Sequence, residues 1–327
     1  MKLAIFTSNG IRHKFVANTL SKNVDETLVI CESNQNDALD EINQTLSPID
    51  EHFHLRYSTE KKIFSGNDYF ENKVTPLLYK EANLQYTYQV VKDFNPDLMI
   101  VFGSSIIKEP LLSLKPNRFI NLHLGLSPYY RGSGTNFWPF VNKELEYVGS
   151  TILHLDPGID TGDIITHVKP KFEIDDNVHT VGCKVIKSSV DTLIKIIEMV
   201  NNEQELQRIK QWSVPNSRYY KNSDFNEEIL KTYLQNLENT QEDIEHKSDE
   251  NIPTFEVDSI ELETPELFSN ELEKNLSNDM EQEGSEVKIF EESNVEKEEK
   301  TKEAEMFEES NMEEDFEIPA FLRRQKN

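Results

Sequence analysis

The sequence has few cysteines, little positive charge and no long apolar run, and each shortage excludes a class of protein. Its two cysteines, Cys31 and Cys183, lie in separate apolar segments without Cys-x-x-Cys or Cys/His spacing. This excludes a disulfide framework, argues against a metal site and predicts buried, reduced thiols in a cytoplasmic protein. No run of about 18 apolar residues occurs, so we predict no membrane span.

Positive charge is scarce, since 34 Lys and Arg stand against 60 Asp and Glu in a chain of 327 residues with net charge −26. Residues 241–327 hold 29 acidic and 9 basic residues, whereas residues 1–240 hold 31 and 25. The first part is long enough for a sizeable core. The acidic tail is poor in apolar residues, which predicts disorder because it can bury too little apolar surface to offset its ordering entropy.

Apolar runs alternate with helical patterns along residues 1–220. We predict strands at 2–7, 26–31, 98–102, 147–156 and 163–174, and helices at 76–95, 108–114, 134–143 and from Asp175 or Asp176 onward. The last helix has an apolar face of Val178, Val181, Val185, Leu193, Ile197 and Val200. This alternation predicts an α/β fold with a mostly parallel sheet and helices on both faces. Ligands then bind at the carboxyl ends of the strands.

Asn121 and His123 lie two residues apart at the end of a predicted strand, so their side chains share one face. An asparagine amide can donate to a developing oxyanion, and a histidine can move a proton near neutral pH. By itself the pair is better explained as a polar strand end with a hydrogen-bonded imidazole. The loop DPGIDTGDII, residues 156–165, adds Asp160, whose carboxylate would orient a nearby imidazole. Taken alone, this loop is better explained as an ordinary Asp/Gly turn.

Together these motifs resemble the folate-dependent formyltransferases, which have Asn-x-His at a strand end followed by an Asp in such a loop. The LSPYYRG segment resembles the Leu-Leu-Pro-x-x-x-Gly loop of that family, and the likeness extends over about residues 1–200. It implies a Rossmann-like fold and transfer of a formyl group from 10-formyltetrahydrofolate to a primary amine, without a metal. Asn121 and protonated His123 would stabilise the formyl oxygen, and Asp160 would support the histidine charge and help to move the amine proton.

The resemblance also implies where the folate lies. The segment IVFGSSIIKEPLL, residues 100–112, resembles the part of the family that holds the pterin ring. The cofactor-binding candidates are Gly103, Ser104, Ser105, Ile106 and Ile107, with Asp156 and Gly158 closing the other side. Small residues let a flat ring approach the backbone, although the segment also fits a plain strand-to-helix turn.

The acceptor is predicted to be a small-molecule amine, either an amino sugar or a ribonucleotide amine. Ser127 and Arg131 lie in a loop similar to the Tyr-Arg-Gly loop of the amino-sugar enzymes, with Asn136 and Trp138 as further candidates. Asn9 partly fits the phosphate loop of glycinamide ribonucleotide formyltransferases, with Arg12 and Lys14 as candidates for contact with a phosphate. The same stretch fits a solvated helix start equally well. Nucleic-acid binding relies on Lys and Arg, so a tRNA acceptor is disfavoured by the acidic chain.

These patterns divide the chain into a catalytic domain (1–220), a helical extension (221–240), an acidic disordered linker (241–316) and a short apolar and basic peptide (317–327). The peptide resembles the C-terminal peptide of the bacterial division protein FtsZ, which implies contact with a cell-division protein. A chance end of an acidic tail and a fused reading frame are the alternatives. For the whole protein, the alternatives are a formyltetrahydrofolate hydrolase, a methionyl-tRNA formyltransferase and a non-catalytic interaction protein.

Overall fold

The computed structural model describes residues 1–33, 47–173 and 175–247, with side chains described as far as residue 237. Seven strands form one sheet: β1 (Lys2–Ser8), β2 (Glu26–Ser33), β3 (Lys73–Leu78), β4 (Leu98–Phe102), β5 (Phe119–His123), β7 (Ser150–His154) and β8 (Ile164–Val168). A two-stranded sheet pairs β6 (Tyr130–Gly132) with β9 (Arg218–Tyr220). The helices are α1 (Ile11–Ser21), α2 (Pro48–Ile63), α3 (Gln85–Phe94), α4 (Trp138–Asn142), α5 (Val178–Asn201) and α6 (Glu227–Lys247).

The large sheet has the strand order β3-β2-β1-β4-β5-β7-β8. The first five strands are parallel, whereas β7 runs antiparallel to both of its neighbours, β5 and β8. The predicted α/β fold with a mostly parallel sheet is therefore confirmed. The strand order switches direction between β1 and β4, so the loops that follow these two strands meet at a crevice of the kind that binds ligands in such folds.

The core lies on both faces of the sheet because side chains alternate along each strand. Leu3 and Ile5 of β1 join a buried cluster with residues of α1 and α5, whereas Ala4 and Phe6 join a second cluster that includes Val91 of α3. Each face of the sheet is thus covered by helices. This double cover explains why the central strands read as nearly continuous apolar runs.

Helix α5 has the predicted apolar face, since all six residues named for it are buried. Its N-cap is Asn177, and the prediction of Asp175 or Asp176 is wrong. The Asn177 side chain accepts hydrogen bonds from the backbone N–H groups of His179 at 2.9 Å and Thr180 at 3.1 Å. Asp176 instead pairs with Lys184 at 2.8 Å.

Several other predicted boundaries differ from the structure. The helix predicted over 76–95 is only α3, since residues 73–78 pair with β2 as the edge strand β3. An edge strand tolerates Pro76, which cannot donate to a ladder. Residues 108–114 form turns rather than a helix, and the helix expected at 134–143 spans only Trp138–Asn142. Helix α2 was not predicted.

The region predicted as a helical extension contains a short 3-10 helix, Asn222–Asp224, and then α6. Leu230 and Tyr233 of α6 are buried in a cluster with Phe140 of α4 and Val185 of α5. Helix α6 includes residues 241–247 of the predicted acidic linker. The rest of that linker and the whole FtsZ-like peptide lie outside the described residues. In the parts of the chain that the structure describes, no helix is long and apolar enough to cross a membrane.

Two histidines meet where α2, α5 and α6 pack together. The rings of His52 and His179 lie 4.5 Å apart, and Phe137, Phe225 and Tyr233 contact the His52 ring. Burial lowers the pKa of His52 to about 4 and the pKa of His179 to about 3. Both rings are therefore neutral in the folded protein at neutral pH.

We expect the free energy of unfolding to fall as the pH drops from 6.5 toward 4. Histidines of the unfolded chain bind protons below about pH 6.5, whereas folded His52 and His179 do so only near their lowered pKa values. The unfolded state thus takes up more protons, at a cost to stability of up to about 1.4 kcal/mol per pH unit for the buried His179. Urea unfolding at several pH values measures this slope.

The substitutions His52→Asn and His179→Asn are expected to flatten the slope. His54→Asn, at an exposed position on the same helix, is the matched control. Equal slopes in all three variants and the wild type would contradict the assignment.

Candidate active site

Asn121, His123 and Asp160 meet over one face of β5. The Asn121 amide donates to Asp160 Oδ1 at 3.2 Å, and His123 Nδ1 lies 3.3 Å from Asp160 Oδ2. The side chains of His123 and Asp160 are only 6% and 11% exposed. Two residues of one strand and a third 39 positions away in sequence thus form one largely buried cluster. The sequence patterns predicted these three residues as a group.

The His123 ring is held through both of its nitrogens. Nε2 lies 3.0 Å from the backbone carbonyl oxygen of Tyr130, and Nδ1 faces the Asp160 carboxylate. A carbonyl and an ionised carboxylate can only accept hydrogen bonds. A ring that donates from both nitrogens to these two oxygens has no N–H left for a third acceptor, so a ligand oxygen would take the place of one of them.

The loop between β7 and β8 holds Asp160 in an unusual backbone conformation. Asp160 has φ of +53°, in the left-handed region that residues other than Gly, Asn and Asp rarely adopt. The backbone N–H of Gly132 donates to Asp160 Oδ2 at 3.1 Å. Gln211, which the sequence analysis did not single out, donates to the carbonyl oxygens of Asp160 at 2.7 Å and Gly162 at 2.9 Å.

The other loop residues predicted to touch the folate shape the loop itself. Asp156 Oδ1 accepts hydrogen bonds from the backbone of Gly158 at 3.1 Å and from Thr161 Oγ1 at 2.8 Å. Gly162 approaches the backbone of His154 so closely that an added Cβ would lie 1.8 Å from the carbonyl oxygen. Glycine is therefore required at this turn.

The segment after β4, where Gly103 to Ile107 were predicted to hold the folate, is fixed by two polar side chains. Glu32 is 2% exposed and accepts hydrogen bonds from the backbone and the hydroxyl of Ser105, at 2.6 Å and 2.8 Å, and from Ala82 N at 2.9 Å. Asn83 donates to Ile106 O at 2.7 Å and accepts from Lys108 N at 2.6 Å. Within the segment, Ile106 is exposed and Ile107 is buried. Ser104 Oγ donates to Ser105 O at 3.1 Å.

A histidine ring lies between the loops that follow β1 and β4. Gly103 has φ of +76°, and a Cβ there would lie 2.3 Å from His13 Nε2. A Cβ at Gly10 would lie 3.0 Å from His13 Nδ1. Burial lowers the pKa of His13 well below its ordinary value, and Arg12 lowers it further.

A cavity of about 240 Å³ opens at the amino end of β5. It is lined by Leu112, Ser113, Pro116, Asn117, Phe119, His154, Leu155 and Arg208. Its apolar wall includes Leu112, which follows the predicted folate segment, and Leu155, which precedes the Asp160 loop. At the polar end, Arg208 donates to His154 Nδ1 at 3.2 Å, and His154 Nε2 donates to Gln207 O at 3.1 Å. Burial lowers the pKa of His154, consistent with this neutral tautomer.

Four buried side-chain polar atoms in the described part of the chain have no hydrogen-bond partner there. They are His13 Nδ1, Ser127 Oγ, Arg131 Nε and Asn136 Nδ2. Three of these four lie in the predicted acceptor loop, and the fourth lies beside Gly10. Buried polar atoms nearly always have partners, so each exception needs an explanation.

The other predicted acceptor residues lie in the loop after β1 and at the start of α1. Asn9 accepts a hydrogen bond from Ser8 at 3.4 Å. Arg12 forms an ion pair with Glu60 of α2 at 2.5 Å, and the neighbouring Lys14 donates to the carbonyl oxygen of Asp68 at 2.9 Å. The two cations considered for phosphate binding are therefore both engaged with other parts of the protein.

The acceptor loop is tied to the segment that precedes α6. Strand β6 pairs with β9, and Trp138 stacks on Tyr220 with centroids 4.0 Å apart. The Tyr130 hydroxyl donates to Glu144, which Arg218 holds at 2.5 Å. Burial and the Glu144 carboxylate raise the pKa of Tyr130. Trp138, 4% exposed, is thus a packed residue of this junction.

Residues 1–197 match the model of the formyl transferase family. This match covers more than half of the chain, and the protein therefore belongs to the formyl transferase family. In the described ranges, no group of three or more His, Cys, Asp or Glu side chains could hold a metal ion.

The chain is similar to curated methionyl-tRNA formyltransferases over part of its length. It is 29% identical to the one from Desulforamulus reducens over 134 residues, which are 41% of this chain and 42% of that protein. It is 34% identical to the one from Clostridioides difficile over 131 residues, 38% of this chain and 41% of that protein. The chain thus spans less than half the length of these relatives.

Among solved structures, a formyltransferase from Anoxybacillus kamchatkensis in complex with a UDP-linked formamido sugar and tetrahydrofolate is similar with a TM-score of 0.41 and 18% identity. The similarity covers 68% of this chain and 87% of that one.

Substitution of Gly103 tests how closely the His13 ring approaches it. We expect Gly103→Ala to lower the melting temperature more than Gly66→Ala, because both glycines have positive φ but only Gly103 has the ring in the way of a Cβ. At Gly66, where nothing lies within 4 Å of the added Cβ, only the backbone cost of about 1–2 kcal/mol applies.

In a His13→Ala background, Gly103→Ala should lower the melting temperature only by the backbone cost. The further loss that the ring causes in the wild-type background should be absent. Thermal unfolding of the single and double variants measures both terms. Equal losses at positions 66 and 103, or no recovery in the double variant, would contradict this geometry.

Proposed function

We propose that the protein transfers a formyl group from 10-formyltetrahydrofolate to the primary amine of a small molecule, with an amino sugar as the favoured acceptor. The observation that carries this proposal is the buried cluster of Asn121, His123 and Asp160, with its 3.2 Å and 3.3 Å contacts. The cluster combines a neutral amide donor, a histidine and a carboxylate around one point. That set suits attack of an amine on a carbonyl carbon.

The donor supplies an electrophilic formyl carbon, to which the amine nitrogen bonds while the bond to the folate nitrogen breaks. Asn121 then donates its second Nδ2 hydrogen to the formyl oxygen as negative charge grows there, and protonated His123 donates through Nε2 in place of its contact with the Tyr130 carbonyl oxygen. One such donor is typically worth about 10²–10³ in rate. Asp160 keeps the imidazolium oriented and assists transfer of the amine proton to the departing folate nitrogen, a type of help worth about 10²–10⁴.

On the donor side, the peptide groups of the segment from Gly103 to Ile107 support folate. Glu32 and Asn83 occupy the peptide groups Ser105 N, Ile106 O and Lys108 N, which leaves recognition to the other peptide groups of this segment.

On the acceptor side, the unpartnered polar atoms of Ser127, Arg131 and Asn136 support a polar ligand rich in hydroxyl groups, such as a sugar. A ribonucleotide amine has less support, because Arg12 and Lys14 are engaged by Glu60 and by Asp68 O. Methionyl-tRNA also has less support, although curated relatives carry that name, because residues 1–240 are slightly acidic and tRNA binding relies on Lys and Arg. The same loop favours a transferase over a hydrolase, which needs no acceptor pocket.

The decisive experiment measures tetrahydrofolate release from 10-formyltetrahydrofolate with and without a panel of amines. The panel contains nucleotide-linked amino sugars, free amino sugars, glycinamide ribonucleotide and methionyl-tRNA. We expect release to require an amino sugar. Equal release without any amine would identify a hydrolase, and dependence on tRNA or on the ribonucleotide would overturn the choice of acceptor.

His123→Ala is expected to lower kcat by about 10²–10⁴, because it removes both an oxyanion donor and a proton carrier. Binding of 10-formyltetrahydrofolate, measured by calorimetry, should change little. His54→Ala, at an exposed position in α2, controls for the loss of a histidine elsewhere. Turnover at the wild-type rate in His123→Ala would refute the mechanism.

A further inference from the structure

Gln211 lies beyond the 197 residues that match the family, in the extended stretch between α5 and β9. Its side chain is half-buried, and Nε2 donates to the carbonyl oxygens of Asp160 at 2.7 Å and Gly162 at 2.9 Å. One amide group thus bridges two peptide carbonyls of the loop that carries Asp160.

The backbone near Gln211 is itself anchored to the main sheet. Ile209 and Ile164 exchange two hydrogen bonds, of 2.8 Å and 2.9 Å, in an isolated antiparallel bridge at the start of β8. Gln211 follows two residues later. The backbone that carries Gln211 is therefore anchored to the main sheet and is not part of a free loop.

Asp160 depends on external support because its backbone is left-handed, with φ of +53°. Its carboxylate is positioned by Asn121 and by Gly132 N, but these contacts do not fix the peptide groups on either side of the turn. Gln211 holds those peptide groups. Asp160 Oδ2 and His123 Nδ1 lie 3.3 Å apart. A shift of the turn that moved the carboxylate outward would therefore break their contact.

We propose that Gln211 is a positioning residue that holds the turn of Asp160 so that the carboxylate stays against His123. It touches neither the carboxylate nor His123, and acts through the backbone of Asp160 and Gly162. The kinetic part of this inference rests on the proposed formyl transfer, whereas its structural part does not.

Three variants test the role. Gln211→Ala removes both hydrogen bonds and is expected to lower kcat by roughly 10-fold to 100-fold, a range expected for a small misplacement of a catalytic group. Gln211→Glu keeps the size of the side chain but turns a carboxylate toward two carbonyl oxygens, so its loss should be larger. The KM values for donor and acceptor should stay within about twofold, since the substrate contacts remain. Gln204→Ala, at an exposed glutamine of the same stretch, should leave kcat unchanged.

The relative kcat losses of Gln211→Ala and Gln211→Glu distinguish a positioning role from a packing role. If Gln211 only filled space, the isosteric Glu would be milder than Ala, and that order would overturn the proposal. Unchanged kcat in both variants, or a rise in KM without a fall in kcat, would overturn it as well.

A readout independent of turnover keeps the test valid if the protein does not transfer formyl groups. Crystal structures of wild type and Gln211→Ala compare the separation of His123 Nδ1 from Asp160 Oδ2. We expect the separation to increase in the variant. An unchanged separation would overturn the proposal, whereas absence of transfer in the wild type would count against the proposed function alone.

Discussion

The contact between the Asp160 carboxylate and the His123 ring is the interaction on which the site depends. Both side chains are largely buried, and a buried carboxylate is stable only with partners that offset its lost hydration. Asn121, Gly132 N and the imidazole supply those partners. They come from β5 and β6, so the formation of this one contact requires three separate segments to fold together.

The sheet topology makes that convergence possible. Because β7 runs back along β5, the loop that follows β7 begins at the amino end of β5 and crosses over the face that carries Asn121 and His123. Strands β1 and β4 lie at the switch in strand order, which brings the loops after them to one crevice. The sheet topology thus brings the two loops that were predicted to bind ligand to one edge of the sheet.

Much of this arrangement could be predicted from the sequence, and there is a physical reason why the rest could not. The two-residue period of a strand places Asn121 and His123 together, and the spacing of apolar residues gives the buried face of α5. In contrast, Glu32, Asn83 and Gln211 are single polar residues whose partners lie 23 to 73 positions away. No local pattern signals such contacts. The engagement of Arg12 by Glu60 and the pairing of residues 73–78 as an edge strand likewise depend on packing between distant segments.

The His13 ring lies between Gly10 and Gly103, so substitutions at these three positions depend on one another. The ring fills the space that a Cβ at either glycine would need, with distances of 3.0 Å and 2.3 Å. A side chain can be accommodated at position 103 only after the ring has been lost or has moved, so the order in which substitutions arise decides which are viable. Homologues that diverge here should therefore change these positions jointly rather than one at a time.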